Sequence, residues 1–378
     1  MKTPSLALFW WDSVTGPVRL VNEVADRLSM PSNVVLALPD DVPWRRNMRD
    51  AIIEALKARP GVQDLTVTDL DGTGVTSPPD SLRELALTHI RDGYMSWACD
   101  ATDYLRDNGI LSNRLVWVRN VSRENMSIWE DFCRRWVPSK PSQGLILIEA
   151  DEDYQGRIPT VRYSSFVSEN SVRTLCSTLL EEESHVSLTE ERRRYSSVLI
   201  ARLSLGDAEF AEAFADVYRP LSDDPIDAMK KLAIDGDYSD RRSLSDCYPL
   251  SLIRRREYDI LQTRLWESQV ECIFPIIERD RLEIAEMHQK RLGEIANSGI
   301  LDTEYAQYRS YRDIEIGQIY WLANTHRLHI EDVGEKEHIS LLRDCRNIIA
   351  HRKCIDEARL RLLIDRQGWR PPNRRYSM

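Results

Sequence analysis

The residues whose types and spacing best suit chemistry lie near the C-terminus, in the stretch LRDCRNIIAHRK, residues 342–353. Asn347 and His351 are four residues apart, so a helix places them on one face. Arg346 is rotated by roughly 140° from His351 on such a helix, so its long side chain or a local distortion is needed to bring both groups to one point. A core helix has no use for this trio, whereas a site that handles phosphate does.

The segment that carries these residues has the pattern of an amphipathic helix over residues 335–353. Its apolar stripe, spaced by three and four residues, consists of Ile339, Leu342, Cys345 and Ile349. Further positive charge stands on the same helix, at Arg343, Arg352 and Lys353. The pattern predicts four or five helices for residues 246–366, which would form an all-α bundle.

In this setting, the run from Arg346 to His351 resembles the Arg-x4–6-His motif of HEPN domains, in which a polar residue such as Asn347 commonly follows the arginine. The resemblance covers the last third of the chain and implies a HEPN-like helical bundle over residues 246–366. Domains of this type are often metal-independent endoribonucleases, of the kind used in bacterial antiviral defence or toxin systems. The resemblance also implies a homodimer through the bundle, because two motifs usually face each other across a cleft.

Carried over by that resemblance, His351 is the general acid or base that helps transfer an RNA 2′-hydroxyl onto the adjacent phosphate. Arg346 stabilises the charge that develops on the phosphate oxygens, and Asn347 fixes the imidazole or the phosphate by a hydrogen bond. The remaining cations of the helix, which are expected to bind the RNA substrate, are Arg343, Arg352 and Lys353. The products are a 2′,3′-cyclic phosphate and a 5′-hydroxyl, and neither a metal nor another cofactor is expected.

A structural role for the trio stays open. Arg346 can pair with Asp344 or Glu278, Asn347 can bridge helices, and His351 can bind a backbone carbonyl. The protein is then a noncatalytic adaptor that dimerises through its C-terminal bundle or binds nucleic acid without cutting it. Some relatives are targets of nucleotidyl modification, which is a further alternative.

Residues 1–168 alternate short apolar runs with helical stretches, a pattern typical of an α/β domain with a mostly parallel sheet. Strands are predicted at 6–11, 33–39, 64–70, 114–120 and 144–150, with an edge strand at 159–166. Helices are predicted at 17–29, 45–57, 79–91, 95–107 and 124–136. Residues 169–245 read as a helical connector. In the bundle, Pro275 is expected to kink or divide a long helix, and Asp302 to cap a helix over 302–326.

The order of the N-terminal elements resembles the core of AAA-type P-loop NTPases. NVVLALP (33–39) stands where the first core strand leads into the phosphate loop, and GLILIEA (144–150) stands at the sensor strand. The turn after the first strand, however, reads PDDVPWRRN, which lacks Gly and Lys and places Asp40 and Asp41 where phosphate would sit. RLVWVRN (114–120) ends in Arg-Asn in place of metal-binding carboxylates. We therefore expect a degenerate NTPase-like domain without ATPase activity.

Other candidate sites favour structural interpretations. Asp69 and Asp71 in TDLDGTG suit a turn better than a site for a hard cation. The seven cysteines contain no Cys-x-x-Cys pair and are expected to be buried free thiols: Cys99, Cys133, Cys176, Cys247, Cys272, Cys345 and Cys354. Four histidines show no metal-binding spacing and are expected to be ordinary surface or core residues: His288, His326, His329 and His338. No metal site is predicted.

Charge is unevenly distributed along the 378 residues, whose net charge is −10. Residues 251–378 hold 22 Lys and Arg against 21 Asp and Glu, a balance of +1, so residues 1–250 carry −11. The acidic α/β domain should repel nucleic acid and suits a protein partner, whereas RNA would meet the C-terminal part. Residues 367–378 form a basic tail, expected to be flexible, for which solvation and binding are both open. The absence of a long apolar run or signal-peptide pattern predicts a cytoplasmic protein without a membrane partner.

Overall fold

The structure, a computed structural model, describes residues 5–86, 94, 99–182, 189–234, 248–302 and 307–366. The chain divides into two compact units, Met1–Ser171 and Val172–Met378. The first unit contains, in chain order, α1 (Leu6–Ser13), α2 (Thr15–Ser29), β1 (Val34–Leu38), α3 (Arg45–Lys57), β2 (Thr66–Asp71), α4 (Pro78–Ala86), α5 (Ala101–Asp107), β3 (Arg114–Arg119), α6 (Arg123–Arg135), β4 (Leu145–Asp151) and β5 (Thr160–Arg162). Helix α7 (Glu169–Glu182) spans the division.

The five strands form one sheet in the order β2-β3-β4-β1-β5, and every neighbouring pair is parallel. Every residue of β1 is buried, as expected for a strand covered on both faces. The predicted parallel-sheet α/β domain is therefore confirmed, as is the edge position of the last strand. All five strands end at the same edge of the sheet, so residues that follow them meet there.

Helices cover the two faces of the sheet in two groups. The connection from β1 to β2 passes β4 and β3, and the later connections run in the opposite direction, so right-handed crossovers put α3 on one face and α4–α6 on the other. The packing agrees, because α1, α2 and α3 contact one another and α4 contacts α5 and α6. Val116 and Ile148 join the core beneath Trp129 of α6. Side-chain alternation therefore turns Trp117 and Glu149 towards α3.

The predicted strand at residues 6–11 is wrong, because this segment is helix α1. Ala7, Trp10 and Trp11 are its buried residues, and α1 packs on α2 and α3. The spacing of three and four residues is that of a helix face. An uninterrupted apolar run such as LALFWW conceals this spacing, since periodicity cannot distinguish a buried strand from a short buried helix.

The described part of the second unit is helical. It contains α8 (Glu190–Leu203), α9 (Ala208–Val217), α10 (Pro225–Ile234), α11 (Pro249–Arg255), α12 (Tyr258–Met287), α13 (Gln289–Asn297), α14 (Ile316–Asn324), α15 (Val333–Ala350) and α16 (Glu357–Ile364). Helix α12 contacts α8 and α15, and α15 contacts α14. No described helix of the chain combines the length and apolarity needed to cross a membrane. The predicted basic tail, residues 367–378, lies outside the described residues.

Two predictions within this unit require correction. Of the two outcomes expected at Pro275, a kink or a division, the division is wrong, because the 30-residue helix α12 runs through this proline. Cys272, Ile273, Ile276 and Ile277 around it are buried, and their burial outweighs the roughly 3 kcal/mol that an interior proline costs. The predicted helix at 302–326 is shorter and begins at Ile316.

Asp302 also has a different role from the predicted helix cap. Its carboxylate accepts a hydrogen bond from the Tyr308 backbone N–H at 2.9 Å. A separate capping box joins Ser310 and Asp313 around a short 3-10 helix at Tyr311–Asp313. These local side chain to backbone bonds compete with helical ones and hold the segment before Ile316 in turns.

Candidate functional site

The turn between β1 and α3 occupies the position where the resemblance places a phosphate loop. Residues 39–44 contain no glycine, and Trp44, just before α3, has a left-handed backbone with φ 44° and ψ 51°. Its ring lies 6.2 Å from that of Trp10 in α1. A phosphate loop uses glycine so that backbone N–H groups can approach the ligand closely. Here a bulky side chain that packs on α1 stands at the start of the helix.

The first residue of α3, Arg45, is bound by a carboxylate of the sheet. Its Nη2 lies 2.5 Å from Oε2 of Glu149 in β4, a residue only 6% exposed. The other carboxylate oxygen, Oε1, accepts a 2.8 Å hydrogen bond from the indole N–H of Trp117 in β3. Both oxygens of Glu149 are therefore engaged, and the arginine nearest the start of α3 is neutralised by the protein itself.

Arg49, one turn further along α3, is engaged in the same way. Its Nη2 contacts both carboxylate oxygens of Asp69 in β2, at 2.9 and 2.8 Å, and its guanidinium lies 5.6 Å from the centre of the Trp117 ring. Arg119 at the end of β3 lies 3.8 Å from the same carboxylate. The sheet edge thus carries a network in which strand carboxylates bind two of the three arginines of α3.

Asp71 closes the turn that follows β2, as predicted. Its Oδ1 accepts hydrogen bonds from the hydroxyl of Thr73 at 2.7 Å and from the Thr73 backbone N–H at 3.0 Å. The side-chain amide of Asn120 donates a third bond at 3.3 Å. These hydrogen bonds lower the pKa of Asp71 below its usual value. The bond from the Thr73 hydroxyl has the largest effect, and those from the Thr73 N–H and from Asn120 have smaller ones. The carboxylate therefore holds loops together at the sheet edge.

The residues at the carboxyl edge of the sheet do not fit a nucleoside triphosphate. Of the three arginines of α3, Arg45 and Arg49 are held by Glu149 and Asp69 and Arg46 is exposed. Asp40 and Asp41 add negative charge in the turn. A phosphate group placed here would meet these carboxylates at close range, and like charges in a partly buried site repel strongly.

The late helix α15 presents its cations in two directions, of which the first is towards α14. Arg346 Nη2 lies 3.1 Å from Oε2 of Glu315, the residue before α14, and both side chains are partly exposed. Arg343 lies 3.7 Å from the centre of the Tyr320 ring in α14 and pairs with Asp344. Arg346 therefore has a carboxylate partner, although neither of the two that its sequence context suggested.

His351 is the C-cap of α15 and is exposed. The next residue, Arg352, is in the left-handed region with φ 55°, and its N–H bonds the Ile349 carbonyl while that of Lys353 bonds the Ile348 carbonyl. This pair of bonds forms a Schellman motif, in which glycine is the usual left-handed residue. Within the described residues, the ring of His351 has no hydrogen-bond or ion-pair partner.

The second direction leads to α12. Trp266 of α12 donates its indole N–H to the Ile349 carbonyl at 2.9 Å, and the Arg352 guanidinium lies 5.3 Å from the centre of the Trp266 ring. Arg352, Lys353 and Trp266 line a cavity of about 460 Å³, which Asp224 and Asp259 also line. Aromatic and cationic groups therefore meet acidic ones in this cavity.

The structure thus groups the sequence-predicted residues in three places. Arg343 and Arg346 face α14, Arg352 and Lys353 face the cavity beside α12, and the exposed Asn347 and His351 stand on the last turn of α15. The guanidinium of Arg346 is held by Glu315, and the described contacts do not join it to the ring of His351. The assignment of these residues to an RNA-cutting site stays a prediction.

The sequence did not reveal a buried ionic cluster in the second unit. Asp280 of α12 is fully buried and binds His338 of α15 at 3.0 Å, Arg366 at 2.5 Å and Arg279 at 3.2 Å. Burial raises the pKa of Asp280, but the His338 hydrogen bond and the charge of Arg366 outweigh it and lower that pKa overall. The sequence signals for this cluster were a histidine, His338, and an aspartate, Asp280, each within an amphipathic helix.

A second hidden group is Glu357 in the first turn of α16. Its Oε2 is buried without a hydrogen-bond partner among the described residues. Burial, followed by the charges of Asp224 and Asp356, raises its pKa to about 7. This carboxylate therefore titrates near neutral pH.

Cysteines and histidines show no metal site in the described ranges, where no group of three or more His, Cys, Asp and Glu could hold an ion. Four cysteines are buried free thiols, as predicted: Cys133, Cys176, Cys272 and Cys345. Cys99 is exposed and Cys354 is half-buried, whereas Cys247 lies outside the described residues. His338 is a core residue and His288 binds Glu335 at 2.7 Å.

No protein-family model and no curated protein sequence matches this chain. Among solved structures, the chain is similar to a lysine-to-arginine mutant of RuvB from Thermotoga maritima, with 11% identity, coverage of 85% of this chain and 92% of that chain, and a TM-score of 0.32. It is also similar to the Aeropyrum pernix ORC2 protein in ADPNP-ADP complexes, with 13% identity, 92% coverage of each chain and a TM-score of 0.29. For the ADP form of ORC2 the identity is 15%, the coverages are 88% and 92%, and the TM-score is 0.26.

Proposed function

We propose that this protein is a noncatalytic assembly or adaptor protein. Its α/β domain keeps an NTPase-like core but binds no nucleotide, and it docks a protein partner. The observation that supports this proposal is the pairing of Arg45 with Glu149 and of Arg49 with Asp69 at the carboxyl edge of the sheet. Two of the three arginines of α3 are thereby neutralised by strand carboxylates.

The energetic argument rests on Glu149, because this carboxylate is almost completely buried. A bound phosphate that captured Arg45 would leave Glu149 with only the Trp117 N–H as a partner. Because the Arg45 side chain is 48% exposed, its loss from Glu149 costs about 2–3 kcal/mol, which the new phosphate contact would have to exceed. The negative charge of Asp40 and Asp41 adds further repulsion.

Self-association through the C-terminal helices belongs to the same proposal. The second unit exposes several large apolar side chains on its helices, among them Phe274, Trp321 and Leu362. A homodimer would use the same patch on both copies. Light scattering of the full chain at micromolar concentration tests this part, with a mass of two chains expected and a mass of one chain against it.

The proposal requires that the α/β domain binds no nucleotide. A titration of the full chain with a fluorescent ATP analogue and Mg²⁺ tests this requirement. We expect no saturable signal up to about 1 mM analogue, which corresponds to a binding free energy weaker than about 4 kcal/mol. An Arg45→Ala, Arg49→Ala double variant provides the matched background and should behave like the wild type. Saturable micromolar binding that this double variant loses would overturn the proposal.

A second candidate function is metal-independent RNA cleavage by a HEPN-like site. It is favoured by the end of α15, where His351, whose ring has no partner among the described residues, precedes an arginine held in a left-handed conformation. Strained residues of this kind are retained where the surrounding structure or a function requires them. Against it stands Glu315, which occupies Arg346. This pair is partly exposed and so can be displaced at small cost by a phosphate.

Cleavage of mixed RNA in EDTA separates the two candidates. The wild type is compared with His351→Ala, Arg346→Ala and the control His329→Ala, whose side chain is 80% exposed and belongs to the same unit. The adaptor proposal predicts equal background for all four proteins. Cleavage by the wild type and the control that both site variants lose, with 2′,3′-cyclic phosphate ends, would establish the nuclease instead.

A further inference from the structure

An open groove lies on the N-terminal unit, between helices α1, α2 and α3. It has a volume of about 410 Å³, within the range of sites that hold ligands or anchoring side chains. Its exposed apolar surface comes from the half-buried Val18 of α2 and Ala51 and Ala55 of α3. The buried Trp11 and Val21 also line it. Leu8 stands at its side with 46% of its surface exposed. This exposed leucine marks a surface on which apolar side chains remain available.

The rim of the groove is acidic. Asp12 at the end of α1 and both Asp50 and Glu54 on α3 line it, and all three are exposed. Among the described residues that line the groove there is no Lys, Arg or His. Glu54 has a 3.4 Å contact with Lys57, but both side chains are so exposed that this pair contributes little. Apolar surface between carboxylates is complementary to an amphipathic segment with basic flanks.

We infer that this groove docks a basic amphipathic helix of a partner protein, with aliphatic residues on one stripe and Lys or Arg beside it. The inference rests on the proposed docking role and names the surface and the chemistry of the partner. Helix-in-groove binding suits the site because its walls are helix side chains, whereas addition of a strand requires a free sheet edge. Residues 1–171, the unit that carries the groove, hold 19 Lys and Arg against 24 Asp and Glu, a balance of −5, so the same unit of a second copy would be repelled.

The test begins with selection of random displayed peptides on the full chain, followed by synthesis of the consensus peptide and measurement of its Kd by fluorescence anisotropy. We expect a consensus with aliphatic residues three or four positions apart and at least two Lys or Arg. Asp12→Asn, Asp50→Asn, Glu54→Gln removes the rim charge without changing side-chain shape. This triple variant should raise Kd by about tenfold or more at low salt, and less at high salt.

Two further variants make the result specific to the groove. Leu8→Ser should also raise Kd, because it removes exposed apolar contact, and it should do so at any salt concentration. Asp64→Asn, Asp107→Asn, Glu124→Gln removes three exposed carboxylates from the same unit away from the groove and should change Kd less than about twofold. Circular dichroism and thermal melting confirm that each variant is folded.

Four results would overturn the inference. Peptides without basic residues, or equal weakening by both triple variants, would exclude charge-complementary docking at the groove. Displacement of the consensus peptide by a synthetic WRPPNRRYSM, residues 369–378, would assign the groove to this chain's own tail. Peptides unaffected by either groove variant would place docking on another surface and leave the adaptor role intact. That role fails separately, through saturable ATP binding or RNA cleavage.

Discussion

The ring of His338 and the carboxylate of Asp280 are joined by a 3.0 Å hydrogen bond in the interior of the C-terminal unit, where neither residue is more than 3% exposed. His338 lies on α15 and Asp280 on α12, so the bond joins the helix that carries the candidate site to the longest helix of the unit. Arg366 reaches the same carboxylate from beyond α16. Three segments are therefore tied at one buried charge.

Asp280→Asn should destabilise the C-terminal unit by about 3 kcal/mol, because it leaves Arg366 and Arg279 without their buried counter-charge. The midpoint of urea unfolding measures this effect. Glu283→Gln is the matched control, since Glu283 contacts the same Arg366 at 3.3 Å from a more exposed position. It should cost less than about 1 kcal/mol. If both variants lose the same free energy of unfolding, the burial of Asp280 does not explain its contribution to stability.

The same carboxylate predicts an acid dependence. The pKa of Asp280 is below its ordinary value of 3.8 in the folded protein, so its contribution to stability is present above pH 3.8 and is lost as the pH falls through the folded-state pKa. The difference in unfolding free energy between wild type and Asp280→Asn should therefore shrink below about pH 4. A difference that stays constant down to pH 2 would contradict the lowered pKa.

Glu357 predicts a dependence of the opposite sign near neutral pH. Its folded pKa is raised from 4.5 to about 7, so its carboxyl is protonated in the folded protein at a pH where the unfolded chain is ionised. The stability it contributes is present below pH 4.5 and is lost as the pH rises through 7. Glu357→Gln should therefore have the same free energy of unfolding as the wild type at low pH. At pH 8 the variant should be more stable by about 1–2 kcal/mol and should unfold at a higher urea concentration.

The control for Glu357 is Glu331→Gln, whose side chain is 89% exposed. This variant should follow the wild type at every pH, because an exposed carboxyl gains or loses little on folding. If Glu357→Gln and Glu331→Gln give the same curve, burial does not raise the pKa of Glu357 as the structure indicates.

Arg45→Ala should destabilise the N-terminal unit by about 2–3 kcal/mol, because it leaves the buried Glu149 with the Trp117 N–H alone. Arg46→Ala is the neighbouring control, since Arg46 is exposed like Arg45 but Glu149 binds Arg45. It should change stability by less than about 0.5 kcal/mol. Urea unfolding followed by tryptophan fluorescence measures both variants. If both variants lose the same stability, the contact between Arg45 and Glu149 does not anchor α3 to β4.

Elements with a strong local pattern were predictable from the sequence. The helix expected at 45–57 is α3 with the same bounds. The strand expected at 33–39 is one residue longer than β1 at each end, and the strand expected at 114–120 is one residue longer than β3 at its C-terminal end. In these segments the apolar spacing and the flanking turn residues agree. LALFWW failed because a run that is apolar throughout has no period to read.

Partners distant in sequence were not predictable. Arg45 and Glu149 are 104 residues apart, and Asp280 and His338 are 58 apart. No local pattern encodes such pairs, since they depend on strand order and helix packing. The same reason explains Arg346, for which the suggested partners were Asp344 and Glu278. In the fold these carboxylates bind Arg343 and Arg281, and Arg346 reaches Glu315 across to α14.

Trp266→Phe should loosen the end of α15 without unfolding the unit. The variant keeps a ring beneath Arg352 but loses the 2.9 Å hydrogen bond to the Ile349 carbonyl, which contributes about 1 kcal/mol. Amide hydrogen exchange reports the effect locally, because opening of the last turn exposes the N–H groups of residues 351–353. These amides should exchange about fivefold faster in the variant, as expected for about 1 kcal/mol of lost local stability.

Trp321→Phe is the control, since the ring of Trp321 is 41% exposed and lies beneath Arg327. It should leave exchange at residues 351–353 unchanged. Faster exchange in both variants would mean that any change of a tryptophan in this unit loosens α15, and the Trp266 bond would lose its assigned role. A rigid helix end is what the RNA-cutting candidate requires, because the exposed His351 depends on this last turn for its position.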